Sequence, residues 1–435
     1  HYSWLFLGAF SKKYRTKFRD SLISSTWTQG FLKVNKMGIL NQHYKKKSLC
    51  KGDEDYVSTK KKIAWIIPYP IKGSGGHRTI VQNANALVRE GYECDLYVDE
   101  DFISTSEGMK KKIATYFDEC LCDVYVGAKL RKKYDLVFAT HAILTTDYTA
   151  ACECENKGYF IQDFEPWFMP MGDLYLSMER SYKYNFKGAS IGRWLANKIK
   201  TEYGSEVKYF NFCADLNVYK PLNNIEKENA ICFIFQPEKP RRCHELGLKA
   251  LKLVKELRPD IKVYLYGSKT EYNPGFECEN LHIMPISECN KLYNKCKAGL
   301  CISASNPSRI PFEMMAAGLP VVDLYRENNL YDMPDNGVLL ADSTPEAIAT
   351  ALIKIIDDEK FAKEMSKNGK AFMKNYPLEK GYEQFLEIVA SMFDNEYKNT
   401  ESIEKIYKKG PVLPSDEVMK VSYIIQPKPM YKETG

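Results

Sequence analysis

The sequence predicts an α/β protein with two doubly wound parallel sheets facing a cleft. Three observations predict it. From about residue 60, short β-rich apolar runs alternate with longer amphipathic segments, as in parallel strands joined by crossover helices. This series breaks at Pro221-Leu222-Asn223-Asn224 and the polar run to Asn229, after which a second series begins. A glycine cluster, Gly73-Ser74-Gly75-Gly76, follows the first apolar run, where such sheets hold ligands at their strand ends.

Element by element, Ile63–Ile67 reads as a strand. Ile80, Ala84, Leu87 and Val88 form a helical stripe that ends at Gly91, and Asp95–Val98 is the next strand. This β-loop-α-β unit implies a right-handed crossover. Val124–Val126, Leu136–Ala139, Tyr159–Ile161 and Val207–Phe210 continue the strands, with helices expected at 142–157, 173–185 and 193–203. In the second series, strands are expected at Ile231–Phe235, Val263–Tyr266, Leu281–Met284, Leu300–Ile302 and Pro320–Asp323. Helices are expected at 245–257, 288–296, 311–317, 344–357, 359–374 and 379–393. The resulting plan is a basic N-terminal arm with helical segments (1–60) and a first Rossmann-like domain (61–222). A second Rossmann-like domain (229–378) follows, then a helix and irregular tail (379–435) that returns to the first domain.

Composition narrows the function classes. At 435 residues, 44% hydrophobic and 27% charged, the chain is globular and multidomain. No apolar run reaches the ~18 residues of a membrane span, and Trp4–Leu7 is too short for a signal core. Thirteen cysteines and six histidines show no C-x-x-C and no zinc-ligand spacing. They read as cytosolic thiols, which predicts a cytoplasmic protein.

Charge is uneven. Residues 1–62 carry 14 Lys and Arg against 4 acids, within a chain of net +6. Phe10, Tyr14, Phe18 and Leu22 recur every four residues between Lys13, Arg15, Lys17 and Arg19. That is the pattern of an interfacial helix on an anionic membrane surface. The alternative is a helix packed on its own domain with a solvated basic face. Nucleic acid is not expected as a partner.

Four groups of residues could carry chemistry. Gly75 and Gly76 permit close backbone approach to a phosphate, and His77 and Arg78 add to the anion reading. A strict dinucleotide fingerprint would need a third glycine where Arg78 stands, although Asp99 keeps an NAD-dependent oxidoreductase as an alternative. Gln236–Arg242 follows the first strand of the second series, and Arg241 and Arg242 suit a pyrophosphate. The run from Ile302 to Val322 has small polar residues, among them Asn306 and Ser308, and then Glu313 on a short helix, placed to accept ribose hydroxyls. Finally, His141, Asp163 and Glu165 follow strands of the first series and are candidate catalytic residues beside the acceptor. The D-x-D triplets Asp53-Glu54-Asp55 and Asp99-Glu100-Asp101 offer a metal-dependent alternative.

The run Pro307-Ser308-x-x-Pro311-x-Glu313-Met314-x-Ala316-x-Gly318 resembles the donor-binding segment of retaining GT-B glycosyltransferases of family 4, and within them the WsaF-like rhamnosyltransferase branch. Gly75-Gly76-His77-Arg78-Thr79, Ile161-Gln162-Asp163-x-Glu165-Pro166 and Pro240-Arg241-Arg242 through Leu248 resemble the same branch. The resemblance covers roughly residues 60 to 390. Two positions depart from it: Ser305 stands where the family's first glutamate would fall, and Gln236 where the branch often has arginine. The resemblance implies a retaining, metal-independent glycosyltransferase with no cofactor. It implies a dTDP- or UDP-sugar donor, L-rhamnose or another hexose, and a polysaccharide or lipid-linked glycan acceptor. Donor-binding residues would be Gly75, Gly76, His77, Gln236, Arg241, Arg242, Asn306, Ser308 and Glu313. Other functional readings are a nucleotide-sugar epimerase of the same fold and a non-catalytic sugar-nucleotide-binding module.

Overall fold

The computed structural model describes residues 60–99, 104–394 and 396–425. The basic arm, the Asp53–Asp55 triplet and Glu100-Asp101 lie outside the described residues.

Two all-parallel sheets form the body. The first holds β1 (Lys62–Pro68), β2 (Glu93–Asp99), β3 (Asp123–Val126), β4 (Leu136–Ala139), β5 (Asn156–Ile161), β6 (Lys187–Ile191) and β7 (Val207–Phe210), in spatial order β3-β2-β1-β4-β5-β6-β7. The second holds β8 (Ala230–Ile234), β9 (Lys262–Tyr266), β10 (Glu279–Asn280), β11 (Ala298–Leu300), β12 (Val321–Leu324) and β13 (Val338–Ala341), ordered β10-β9-β8-β11-β12-β13. Strand order reverses beside β1 and beside β8. Crevices open there at the strand C-terminal ends, the usual ligand position in such sheets. The central strands are continuous apolar runs because helices cover both faces. Residues Ile63 to Ile67 of β1 and Ala230 to Phe233 of β8 are at most 1% exposed.

Several elements differ from the sequence expectation. Strand β6 reads Lys187-Gly188-Ala189-Ser190-Ile191, with little β propensity. Tertiary packing selects it: a Cβ at Gly188 would lie 2.6 Å from a Val207 methyl on β7, so the absent side chain admits the neighbour. Strand β13 was also not expected. The helix expected at 142–157 stops at Ala151, and β5 already begins at Asn156. The segment expected as helix to 185 is a helix to Arg180 and a 3₁₀ turn, ended by Asn185 at φ 56°. The strand expected at Leu281–Met284 lies two residues earlier, and His282 at φ 52° breaks the extended run. The helix Ser106–Phe117 had no sequence counterpart.

The chain crosses between the domains three times. After the linker, the helix Leu378–Ser391 returns to the first domain. There Phe385 packs among Trp65, Phe138, Phe160 and Phe210. The tail stays on that domain through Tyr397, whose hydroxyl donates to the Gly188 carbonyl, and Asn399, whose amide donates to the Val207 carbonyl at 2.7 Å. It then crosses again. The Ile406 and Tyr407 amides bind the Leu330 carbonyl, and Val412 bridges to β13. Within the described residues the tail is thus not irregular throughout. Residues Asp416–Ile425 form a helix against the helices His244–Leu257 and Pro345–Asp357 of the second domain, where Arg258 pairs with both Asp357 and Glu417.

Candidate active site in the interdomain cleft

The C-terminal ends of β1, β4, β5 and β6 face those of β8 and β11, and most of the expected residues meet there. On the second domain, β8 runs into Gln236 and a 3₁₀ turn, Pro240–Arg242. The Arg242 guanidinium donates to Ser303 Oγ at 2.5 Å, and the Arg241 carbonyl accepts from the Ala304 amide at 3.0 Å. The turn after β8 is therefore tied to the loop after β11. Arg241 lies flat on Phe168 of the first domain, 4.1 Å from the ring centroid. The Nε atoms of Arg241, Arg242 and Arg309 are buried without a hydrogen-bond partner. A buried, unsatisfied cationic N–H is costly, so the site asks for an anion.

Lys239 was not singled out by sequence reasoning, although it lies inside the basic run. Burial, then the charges of Arg241 and Arg242, lower its pKa to about 8. Burial similarly lowers Arg241 to about 10, against the pull of Asp163. Gln236 has its amide turned to the Gly267 carbonyl at 3.2 Å. Lys239 supplies a positive charge three residues along the chain from that neutral amide.

Glu313 sits in the short helix Ile310–Ala316. Burial raises its pKa; Arg309, the neighbouring Tyr219 hydroxyl and Arg78 hold it down, in that order. Arg309 also reaches Gln82 of the first domain at 3.1 Å. Tyr219 and Arg309 are members of this group that the sequence did not reveal. Arg309 stands at an unassigned position of the Pro307–Gly318 motif, whereas Tyr219 comes from the linker and only folding brings it beside Glu313. Ser308 shapes the helix start, its hydroxyl accepting the Ile310 amide at 3.3 Å.

On the first domain, Ser74 caps the helix Gly75–Arg89. A methyl at Gly75 would meet nothing within 4 Å, and one at Gly76 only the Gln162 amide, at 3.6 Å. The protein's own packing therefore does not require these glycines. His77 is committed elsewhere: its Nδ1 faces Ser74 Oγ at 2.9 Å and its Nε2 the Pro68 carbonyl at 3.3 Å. Burial, more than any neighbour, lowers its pKa to about 4. It is a neutral ring at neutral pH and braces the glycine loop rather than adding positive charge.

His141 follows β4, and Thr145 pins its backbone through both its amide and its carbonyl at 2.8 Å. Its Nε2 lies 3.9 Å from Glu165 Oε2. That same oxygen accepts the Ala142 amide at 2.6 Å. Burial raises the Glu165 pKa, opposed chiefly by His141. The structure therefore brings His141 and Glu165 together at the acceptor-side wall. Asp163 points instead toward the second domain, where its Oδ1 accepts the Asn306 amide at 2.8 Å and its Oδ2 the Ser305 hydroxyl at 3.0 Å. Asn306 and Ser305 thus serve a seam between the domains.

Among the described residues, no cluster of three His, Cys, Asp or Glu side chains is arranged to hold a metal ion. Every described cysteine is a free thiol, and no described helix is long and apolar enough to cross a membrane.

Comparison with known proteins places this geometry. Residues 229–353 match the family model of the WsaF C-terminal domain. The O-antigen biosynthesis protein RfbC of Myxococcus xanthus is 27% identical over 306 residues. That match covers 66% of this chain but 24% of RfbC, so the chain spans about a quarter of that relative's length. Among solved structures, Anabaena HepE in complex with UDP and glucose covers 76% of this chain and all of its own, at 15% identity and a TM-score of 0.59. A variant of S. aureus TarM bound to Fondaparinux, alpha-GlcNAc-glycerol and UDP covers 77% of this chain and all of its own, at 9% identity and a TM-score of 0.60. The strand orders, the cleft and these matches give the chain the GT-B fold, with residues 229–353 similar to the WsaF C-terminal domain.

Proposed function

We propose that the chain is a glycosyltransferase that moves a hexose from a nucleotide-sugar donor to a glycan acceptor in bacterial polysaccharide assembly. One observation carries this reading. The second domain gathers Lys239, Arg241 and Arg242 at the end of β8, the two arginines with buried Nε–H groups that make no hydrogen bond, opposite His141 and Glu165 on the first. A cationic pocket facing a carboxylate and an imidazole suits a departing diphosphate on one side and an acceptor hydroxyl on the other. RfbC, named for O-antigen biosynthesis, supports the polysaccharide context. HepE and TarM, both in complex with UDP, support a nucleoside diphosphate ligand.

In this reading Arg241, Arg242 and Lys239 neutralise the pyrophosphate, with the Gly75-Gly76 backbone and Ser308 beside it. Glu313 accepts ribose hydroxyls. Glu165, with His141, orients the acceptor hydroxyl. Preorganised cations stabilise the leaving group without reorganising during reaction. Retention of configuration, metal independence, dTDP-L-rhamnose as donor, a lipid-linked acceptor and work at the inner membrane face extend the same proposal. They rest on the sequence resemblance and the basic arm.

Thermal shift with UDP, dTDP, GDP and NAD, each with and without EDTA, tests it. A nucleoside diphosphate at ~100 times its dissociation constant stabilises by ~2.7 kcal/mol. A shift with UDP or dTDP that survives EDTA is the expected result, and it identifies the donor base. A shift with NAD alone sinks the reading. Product analysis separates transfer from epimerisation: an epimerised nucleotide-sugar formed without an acceptor would assign the chain to the rival activity.

A further inference from the structure

One carboxylate ties the two halves of the cleft together. Asp163 belongs to the first domain. Its Oδ1 accepts the amides of Phe164 at 2.9 Å and Asn306 at 2.8 Å. Its Oδ2 accepts the Ser305 hydroxyl at 3.0 Å, with Arg241 Nε 3.7 Å away. The Asn306 side chain answers from the other direction, donating to the carbonyls of Gln162 at 2.9 Å and Ile191 at 3.0 Å. Ser305 and Asn306 are 1% and 2% exposed, so the second-domain side of the seam is buried.

The two partners are not arbitrary. The loop holding Ser305 and Asn306 also positions both arginines, through Ser303 to Arg242 and through Ala304 to the Arg241 carbonyl. Two residues beyond Asp163 stands Glu165, whose carboxylate is fixed by the Ala142 amide and faces His141. A single side chain therefore links the cationic wall to the acceptor-side wall. Both Asp163 oxygens are thus engaged across the seam. Hydrogen bonds of this kind form only while the domains are together; apart, the carboxylate and the arginines regain water, which keeps the clasp reversible.

We propose that Asp163 is a cross-cleft positioning residue. It binds the Ser303–Ser308 loop on closure and so sets Arg241 and Arg242 in register with Glu165 and His141. The proposal rests on the glycosyltransferase reading for its kinetic consequence, but not for the clasp itself. A bound diphosphate exchanges with Asp163 for Arg241 Nε, while the Ser305 and Asn306 bonds persist.

The test uses the full chain and the variants Asp163→Ala, Asp163→Asn, Asn306→Ala, Ser305→Ala and Asp163→Ala/Ser305→Ala. Three quantities are measured: solution radius by X-ray scattering, affinity for UDP and dTDP by calorimetry, and steady-state turnover of UDP-glucose and dTDP-rhamnose. In Asp163→Ala the radius should grow and nucleotide affinity should stay within about threefold, because the charged groups proposed to hold the diphosphate lie on the second domain. Its kcat should fall about 100-fold, the scale of an ångström-sized misplacement, with the donor KM little changed. Asn306→Ala should open the molecule in the same direction, and the double variant should be no worse than Asp163→Ala, since both residues serve one bond. If Asp163→Ala does not fold, Asn306→Ala and Asp163→Asn decide the matter. A radius unchanged in these variants overturns the proposal. So does an Asp163→Asn enzyme that stays compact but loses one limb of its pH–rate profile, the mark of a catalytic base. A wild-type chain that binds neither nucleotide would instead sink the transferase reading, with the radii still deciding the clasp.

Discussion

The two domains use one winding pattern to present opposite chemistry to the same cleft. The second ends β8 in Lys239, Arg241 and Arg242; the first ends β4 and β5 in His141, Asp163 and Glu165. The walls also differ in how well they are satisfied. Both Asp163 oxygens accept hydrogen bonds, and Glu165 accepts one from the Ala142 amide. Arg241, Arg242 and Arg309 keep buried Nε atoms without hydrogen-bond partners, although Arg241 Nε lies 3.7 Å from Asp163. The difference teaches that scaffold and function are separable. Parallel sheets place the ends of strands at the cleft, and the residues just past those ends decide which wall awaits an anion.

The strongest way to break this comparison is to discharge the cationic wall. Arg241→Ala with Arg242→Ala should weaken nucleoside diphosphate binding by about 3–6 kcal/mol, taking about 1.5–3 kcal/mol for each charged hydrogen-bond donor. Glu165→Gln should leave that affinity within about threefold while lowering turnover about 10²–10⁴-fold, as expected for a group that orients or accepts a proton. Calorimetry and steady-state kinetics on the same preparations would show whether the walls divide the labour. Equal losses of affinity from both walls would contradict the division.

A smaller effect is expected at Glu313, the carboxylate set within the cationic domain. Glu313→Ala should cost about 1.5–3 kcal/mol of donor affinity by removing hydrogen bonds to a ribose. Unchanged nucleotide affinity would remove Glu313 from the site.

Asp332 reverses the comparison. Here the second domain supplies the acid and the first supplies a positive helix end. Asp332 Oδ1 accepts the Arg193 amide at 2.8 Å and Oδ2 the Trp194 amide at 3.3 Å, at the N-terminus of the helix Arg193–Tyr203. Gly192, at φ 86°, makes the approach possible, since a Cβ there would lie 3.1 Å from Asp332 Oδ2 and 2.5 Å from Phe212. Burial dominates these bonds and raises the Asp332 pKa to about 6. The folded chain therefore binds this proton more tightly than the unfolded chain. Its contribution to stability grows as pH falls through about 6 and is lost as pH rises. Between pH 7 and 5, the melting midpoint of the wild type should rise relative to Asp332→Asn by roughly 2–4 °C. Parallel midpoints across that range would place the proton elsewhere.

The smallest effect separates Lys239 from its arginine neighbours. Its pKa of about 8 means the free protein loses this charge in mildly alkaline solution. Nucleoside diphosphate affinity should therefore be full below pH 8 and decline above it. Lys239→Met should bind about tenfold more weakly at pH 7, near the low end for a charged hydrogen bond, with a flatter pH dependence. Titration calorimetry from pH 7 to 9.5 checks both statements.

Much of the fold was legible because buried parallel strands must be continuous apolar runs and their crossover helices must be amphipathic. The runs at 63–67 and 231–235 are of this kind. Strand β6 was not, because Gly188 and Ala189 carry almost no pattern and earn their place only by admitting Val207. The cationic wall was also legible, since Arg241 and Arg242 directly follow a strand. Tyr219 was not, because no short-range pattern marks a residue whose partner lies 94 positions away in a different element; Arg309, four residues before Glu313 at the start of the same helix, was overlooked. His77 was legible as a residue and misread as a charge, because burial, which governs its protonation, is not written in the local sequence.

The amino-acid order by itself determined that two wound parallel sheets would form. Local periodicity and turn chemistry are enough for that. Only the tertiary structure decided which polar groups meet. It turned Asp163 onto Ser305 and Asn306, about 140 residues distant. It also left the arginine Nε atoms buried without hydrogen-bond partners. The physical reason is that desolvation and hydrogen-bond saturation depend on which surfaces are pressed together, and that is a property of the folded assembly rather than of any segment.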